Sequence, residues 1–210
     1  MTAGAELGFV HRFIPAQRPG TTLLLLDGTG GDENDLLGVG RELAPGAALL
    51  SPRGKVLENG RPRFFRRFAE GLFDLEDLVF RTHELAEFLA AASSRYGLPP
   101  DRVFAAGYSN GANIAASTLL LCPEVLAGAV LFRPMVPLTP ERMPNLSAKR
   151  AFIAAGRHDP IVPPEQAERL ARLLRSAGAE VELHWEANGH AVGDAELEVA
   201  RGWLARNTPA

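Results

Sequence analysis

The sequence predicts a three-layer α/β/α sandwich with a mostly parallel central sheet and no lid domain. Three observations predict it. Strand-like and helix-like segments alternate along the chain. The middle strands are apolar on both faces, as strands covered by helices on each side must be. The 21 glycines and 16 prolines supply the turns that such alternation needs. At 210 residues the chain can bury a sizeable core. No repeat, low-complexity tract or linker divides it, so residues 1–210 are read as a single domain.

Taken in order, Gly8 to Ile14 reads as a strand with Phe9 and Phe13 among its apolar positions. Thr21 to Leu26 is a near-continuous apolar run, the pattern of a strand buried on both sides. Asn34 to Leu43 places Leu36, Leu37, Val39, Gly40 and Leu43 at roughly helical spacing. Ala47 to Leu50 is a second short buried strand, and Pro52 to Asp74 is irregular. Leu75 to Tyr96 is the clearest helix, with an apolar stripe through Leu75, Leu78, Val79, Leu85, Phe88, Leu89 and Ala92 and with Asp74 as its N-cap. Strand 102–106, helix 110–121, strand 126–132 and strand 150–155 follow. Helix 164–177 is closed by Gly178. Strand 180–187 sets Val181, Leu183 and Trp185 on one face and Glu182, His184 and Glu186 on the other. Ala195 to Leu204 ends the chain as a helix.

Composition narrows the function classes. A hydrophobic content of 46%, a charged content of 22% and a net charge of −3 describe an ordinary globular chain without a nucleic-acid footprint. The lone Cys122 rules out an internal disulfide and reads as inert packing at a helix end. Met1 to Phe9 lacks the basic start and apolar core of a signal peptide. The longest apolar runs are too short to span a bilayer. A cytoplasmic enzyme or binding protein is expected.

In a parallel sheet covered by helices, sites form beyond the carboxyl ends of the strands. Gly107-Tyr108-Ser109-Asn110-Gly111 lies between a strand and a helix, which lifts a serine hydroxyl clear of the sheet at a tight turn. A serine needs a base to become a nucleophile. Of the five histidines, His11 lies in a strand and His83 in mid-helix, and His184 belongs to the solvated face of its strand. His158 and His190 both follow strands. Asp159 follows strand 150–155 and is the better orienting acid, which leaves His190, past the next strand, as the base. Ser109, Asp159 and His190 also run in the chain order that such sheets use. Taken singly, Asp159 could cap a helix or brace a turn, and His190 could be a surface histidine; it is the conjunction that points to a catalytic triad. The N–H of Asn110 and that of Thr29, in the glycine-rich loop Asp27 to Glu33, are the expected oxyanion donors. As a phosphate loop the same stretch is weak, because Asp32, Glu33 and Asp35 would repel phosphate and no lysine follows.

These segments resemble the α/β-hydrolase superfamily. Within it they are similar to the small bacterial carboxylesterase/phospholipase group, which includes hydroquinone-linked esterases and is related to acyl-protein thioesterases. The matching pieces are Gly28-Thr29-Gly30-Gly31-Asp32-Glu33, Ser51-Pro52-Arg53-Gly54, Arg63-Phe64-Phe65-Arg66-Arg67, Gly107 to Asn113, Gly156 to Pro163 and Gly189-His190. The resemblance implies Ser109, Asp159 and His190 as the triad, Thr29 and Asn110 as the oxyanion donors, and no metal or organic cofactor. One position departs: the group carries histidine before Gly28, and this chain carries Asp27. Its carboxylate is expected to turn away and accept backbone N–H bonds that shape the loop.

The expected reaction is hydrolysis of small-molecule carboxylic esters by a monomer or homodimer. A thioesterase or lysophospholipase would use the same triad, and a non-catalytic ligand-binding protein would use the same scaffold. Arg133 to Lys149 is too short for a helical lid, so the site should be open and the acyl group small to medium. Arg63, Phe64 and Arg67 are candidate pocket residues, with at least one arginine facing the pocket, and Met135 is a candidate for the acyl side. The competing expectation is that the arginines pair with Glu58, Glu70 and Asp74 while the phenylalanines pack the loop down.

Overall fold

A computed structural model of the chain describes residues 7–17 and 20–208, so most of the Met1–Phe9 segment discussed above lies outside the described residues. Eleven strands and five α-helices alternate within them. The main sheet is built from β1 (His11–Ile14), β2 (Thr22–Leu26), β3 (Ala48–Pro52), β8 (Val103–Tyr108), β9 (Gly128–Phe132), β10 (Arg150–Gly156) and β11 (Glu180–Glu186). Their order across the sheet is β1-β3-β2-β8-β9-β10-β11. Every neighbouring pair is parallel except β1 with β3. The helices are α1 (Leu37–Leu43), α2 (Leu75–Tyr96), α3 (Asn110–Leu121), α4 (Pro164–Ser176) and α5 (Asp194–Asn207).

The two-residue period of a strand divides the core in two. Leu24, Leu26, Ala105, Leu131 and Ile153 face one way and pack on α2, α3 and α4 through residues such as Leu85, Ile114 and Leu170. Leu23, Leu25, Phe104, Val130 and Phe152 face the other way and pack on α1 and α5 through Leu43, Trp203 and Leu204. This is why the middle strands read as unbroken apolar runs. Asp74 caps α2 by accepting the Asp77 N–H at 3.1 Å, as its position before the apolar stripe implies.

The structure departs from the sequence reading at several points, and the first strand begins at His11 rather than Gly8. The helix expected from Asn34 begins at Leu37. Asp32 accepts the Asn34 N–H and Asp35 accepts the Asp32 N–H, so these side chains hold a turn that competes with the first helical turn. The stretch Pro52 to Asp74 is not irregular. It forms two antiparallel hairpins, β4 (Val56–Glu58) with β5 (Arg61–Arg63) and β6 (Arg67–Ala69) with β7 (Leu72–Phe73). Their strands are only two or three residues long, too short to show a period. His184 is not freely solvated. It is hydrogen-bonded to Glu186 and its ring stacks on Phe152.

Residues 133–149 contain no helix or strand, so no helical lid crosses the carboxyl ends of β8, β9 and β10. No helix among the described residues is long and apolar enough to cross a membrane.

Candidate active site

The turn between β8 and α3 holds Ser109 at φ +52, a left-handed conformation that costs an L-residue about 1–2 kcal/mol. Two features keep it there. The Ser109 N–H donates to Phe132 O at 2.9 Å, which ties the turn to the end of β9. Gly107 and Gly111 let strand and helix fold against each other. A Cβ on Gly107 would lie 2.6 Å from Gly111 O, and one on Gly111 would lie 1.9 Å from Leu26 O.

Asp159 and His190 reach the same point from the loops after β10 and β11. Asp159 Oδ1 accepts the N–H groups of Ile161 and Val162 at 2.8 and 3.0 Å. Its Oδ2 accepts from His190 Nδ1 at 2.7 Å, and its side chain is almost wholly buried. With Nδ1 donating to the carboxylate, the lone pair of Nε2 faces Ser109 Oγ, 3.2 Å away. Tyr108 packs beside the imidazole, with ring centroids 5.3 Å apart, and its hydroxyl donates to His190 O at 3.3 Å. The three residues singled out from the sequence therefore meet in one hydrogen-bonded series. The other histidines are used elsewhere. His11 is buried between Phe9 O and the Tyr96 hydroxyl, His83 sits 3.4 Å from the buried Cys122 Sγ, and His158 is exposed.

Asn110 opens α3, so its N–H is one of the four that a helix leaves without an internal acceptor. Its side-chain Oδ1 accepts the Phe64 N–H at 2.8 Å. Thr29 lies in the loop after β2, where the β4–β5 hairpin grips it. Arg61 donates to Thr29 O at 2.9 Å, Arg63 donates to Thr29 Oγ1 at 2.9 Å, and the Gly30 N–H donates to Pro62 O at 2.8 Å. Four consecutive residues, 61–64, thus brace both proposed oxyanion-donor positions.

Ser109 and His190 open onto a cleft of about 550 Å³ lined also by Asp27, Thr29, Asp35, Arg61, Arg67, Glu70, Tyr108 and Ile161. Behind Ser109 a narrow recess of about 10 Å³ is bounded by Arg63, Asn113, Met135 and Val162. Both candidate arginines touch this space, but their charges are already used. Glu58 accepts from Arg63 and Arg67, and Glu70 also accepts from Arg67. Burial holds Arg63 below the usual guanidinium range, with the neighbouring Arg67 charge adding to it. Phe64 does not line the cleft. It is packed in the core at 4% exposure, in the bend that follows β5, among the cluster that includes residues of α2 and α3. Met135 is equally buried and bounds the recess.

Asp27 follows half of its expectation. Its Oδ1 accepts the Gly28 N–H at 2.6 Å and so shapes the loop. The side chain does not turn away, however. It lines the cleft, and Oδ2 is buried with no hydrogen-bond partner among the described residues. Burial pushes this carboxyl up to about 6, the Gly28 bond opposes the rise, and the Asp35 and Asp32 charges add to it. A carboxyl raised on folding favours the folded state while protonated. Its contribution is fully present below the unfolded value of 3.8 and is lost as pH rises through about 6. Asp27→Asn should therefore stabilise the protein at pH 8 by about 1–2 kcal/mol, allowing for partial solvent exposure. The gain should disappear by about pH 4. Urea midpoints at the two pH values check it, and an equal difference at both would contradict this account.

Sequence reasoning passed over two residues beside the site. Arg133 is completely buried at the end of β9, and Glu196 on α5 is its buried counter-charge. A signal for each was present. Arg133 directly follows a strand end, and Glu196 shares the face of α5 that buries Ala200, Trp203 and Leu204.

A family model described as phospholipase/carboxylesterase matches residues 69–207. MhqD of Bacillus subtilis, a protein that bears the name of a hydrolase, is 50% identical over 181 residues, covering 86% of this chain and 90% of its own length. The crystal structure of a Bacillus cereus carboxylesterase superposes with a TM-score of 0.94 at 48% identity, covering 97% of this chain and 96% of that one. A carboxylesterase from Mesorhizobium loti superposes with a TM-score of 0.89 at 34% identity, covering 97% and 98%.

Proposed function

The chain belongs to the phospholipase/carboxylesterase family of α/β-hydrolase fold, and from that premise we propose that it is a serine carboxylesterase, working as one domain through an acyl-enzyme on Ser109. One observation carries the proposal: the hydrogen-bonded series from Ser109 Oγ to His190 Nε2 at 3.2 Å and from His190 Nδ1 to Asp159 Oδ2 at 2.7 Å. Ser109 attacks the acyl carbon as His190 takes its proton. Asp159 fixes the tautomer and balances the imidazolium. The N–H groups of Asn110 and Thr29 receive the developing oxyanion. His190 then protonates the leaving alcohol, and a water molecule repeats the cycle on the acyl-enzyme.

The open cleft, about 550 Å³ and without a helical lid over it, has room for a small to medium acyl group and its alcohol, whereas the recess behind Ser109 holds little more than one water molecule. The arginines at the rim are paired, so a substrate carboxylate would have to compete with Glu58 and Glu70 for them.

A series of p-nitrophenyl esters of rising acyl length, run beside acyl-thioesters and a lysophospholipid, tests the reading. kcat/KM should be highest for acetyl to butyryl esters and fall for longer chains. A clear preference for thioester or lysophospholipid would move the assignment to those activities. Failure of a fluorophosphonate probe to label the protein would leave a ligand-binding role on this scaffold.

A further inference from the structure

Arg133 lies between the three proposed catalytic groups; it bounds the narrow recess behind Ser109 but does not line the open cleft. It directly follows β9 and takes φ +55, so like Ser109 at the neighbouring strand end it is held in a conformation unfavourable for its type. Its N–H donates to Ala154 O at 2.8 Å. Its guanidinium, completely buried, reaches both sides of the base. Nε donates to Gly189 O at 2.9 Å and Nη2 donates to Ala191 O at 2.7 Å, the carbonyls that flank His190. Nη1 donates to Ala154 O on β10, the strand that leads to Asp159. Nε lies 4.0 Å from Asp159 Oδ2, the same oxygen that accepts from His190. Two residues on, the Met135 N–H donates at 2.7 Å to Asn113 on α3, the helix that starts after Ser109.

A charge this deeply buried is costly unless paired, and Glu196 pairs it through both Nη atoms. That pairing has a second effect. With Arg133 balanced by Glu196, the negative charge of Asp159 is left for the imidazolium that forms on His190. Only a planar fork of five donors can span two flanking carbonyls, a strand carbonyl and a carboxylate at once; an ammonium cannot.

We propose that Arg133 is a positioning residue for the hydrolysis proposed above: with Glu196 as its counter-charge, it fixes the His190 loop and Asp159 in register with Ser109. The proposal rests on that reading of the reaction. Two variants test it, each with kcat and KM on p-nitrophenyl acetate, thermal melting, and the downfield proton signal of the hydrogen-bonded His190 Nδ1–H. Arg133→Lys keeps the charge opposite Glu196. The double variant Arg133→Met with Glu196→Met replaces the pair by apolar side chains. In folded protein, kcat should fall about 10- to 100-fold, as expected when a catalytic group is displaced by about an ångström. KM should change by less than about threefold, since neither Arg133 nor Glu196 lines the open cleft. The imidazole signal should broaden or vanish.

A folded variant with kcat within about threefold of the parent and an intact imidazole signal would overturn the proposal. So would failure of both variants to fold, which would make Arg133 a residue of the fold alone. The unaltered protein is the control. If it neither hydrolyses esters nor takes a fluorophosphonate label, the esterase reading fails, and the imidazole signal alone then decides whether Arg133 positions His190.

Discussion

Ser109→Ala should remove ester hydrolysis and fluorophosphonate labelling together, lowering kcat by about 10⁴- to 10⁶-fold, with the melting temperature little changed. Alanine, like serine, must take φ +52 at this turn, so the strain in the fold is the same before and after. Ser109→Gly separates the two contributions. Glycine reaches positive φ freely, so the inactive protein should be as stable as the parent or more stable by up to about 1 kcal/mol, once the greater freedom of glycine in the unfolded chain is set against the relieved strain. Activity that survives at a tenth of the parent level or more in Ser109→Ala would remove Ser109 from the reaction. Destabilisation in Ser109→Gly would mean that the turn carries no strain.

Gly111→Ala should have the largest effect on the fold. Its Cβ would lie 1.9 Å from Leu26 O, 2.3 Å from Leu26 C and 2.6 Å from Asp27 O. All three are backbone atoms of β2 and the loop that follows, and none can rotate away as a side chain could. Helix α3 would have to withdraw from the sheet, carrying Ser109 away from His190 and opening the core around Ile114. The cost should exceed about 4 kcal/mol, a large share of the 5–15 kcal/mol that holds a typical domain together. Soluble yield and thermal melting measure it. Gly38→Ala is the control. That glycine is helical in α1, a Cβ there meets nothing within 4 Å, and the variant should gain about 0.5–1 kcal/mol. A Gly111→Ala protein that melts within a few degrees of the parent would refute the steric account.

What could be read in the sequence follows from the kind of signal each part sends. The bounds of helix α2 were legible because an amphipathic stripe and a capping aspartate both mark it, although Leu75 and Val79 of the expected stripe are exposed. The inner strands were legible because burial on both faces leaves them uniformly apolar. Ser109, Asp159 and His190 were legible because the turns after strands are few, and residue type and chain order constrain which can cooperate. The hairpins between Val56 and Phe73 were hidden because their order comes from ion pairs and loop contacts, such as Glu58 with Arg63 and Arg67, which leave no periodic trace. Phe64 was placed by its chemistry at the cleft, whereas its backbone turns the ring inward and offers only its N–H to Asn110. Arg133 and Glu196 were hidden for a different reason. Charged residues read as surface, and a pair 63 positions apart reveals itself only when both ends are seen to be buried.

That pair also bears on how the protein can change over generations. A lineage that lost the arginine alone, or the glutamate alone, would pass through a protein with one uncompensated charge in its core, a loss of about 3–5 kcal/mol against a typical reserve of 5–15. Exchanging both at once for apolar side chains would avoid the stranded charge but would strip the donor from the Gly189 and Ala191 carbonyls that flank His190. The two positions are therefore inherited as a unit, and a related chain that differs at one of them should differ at the other.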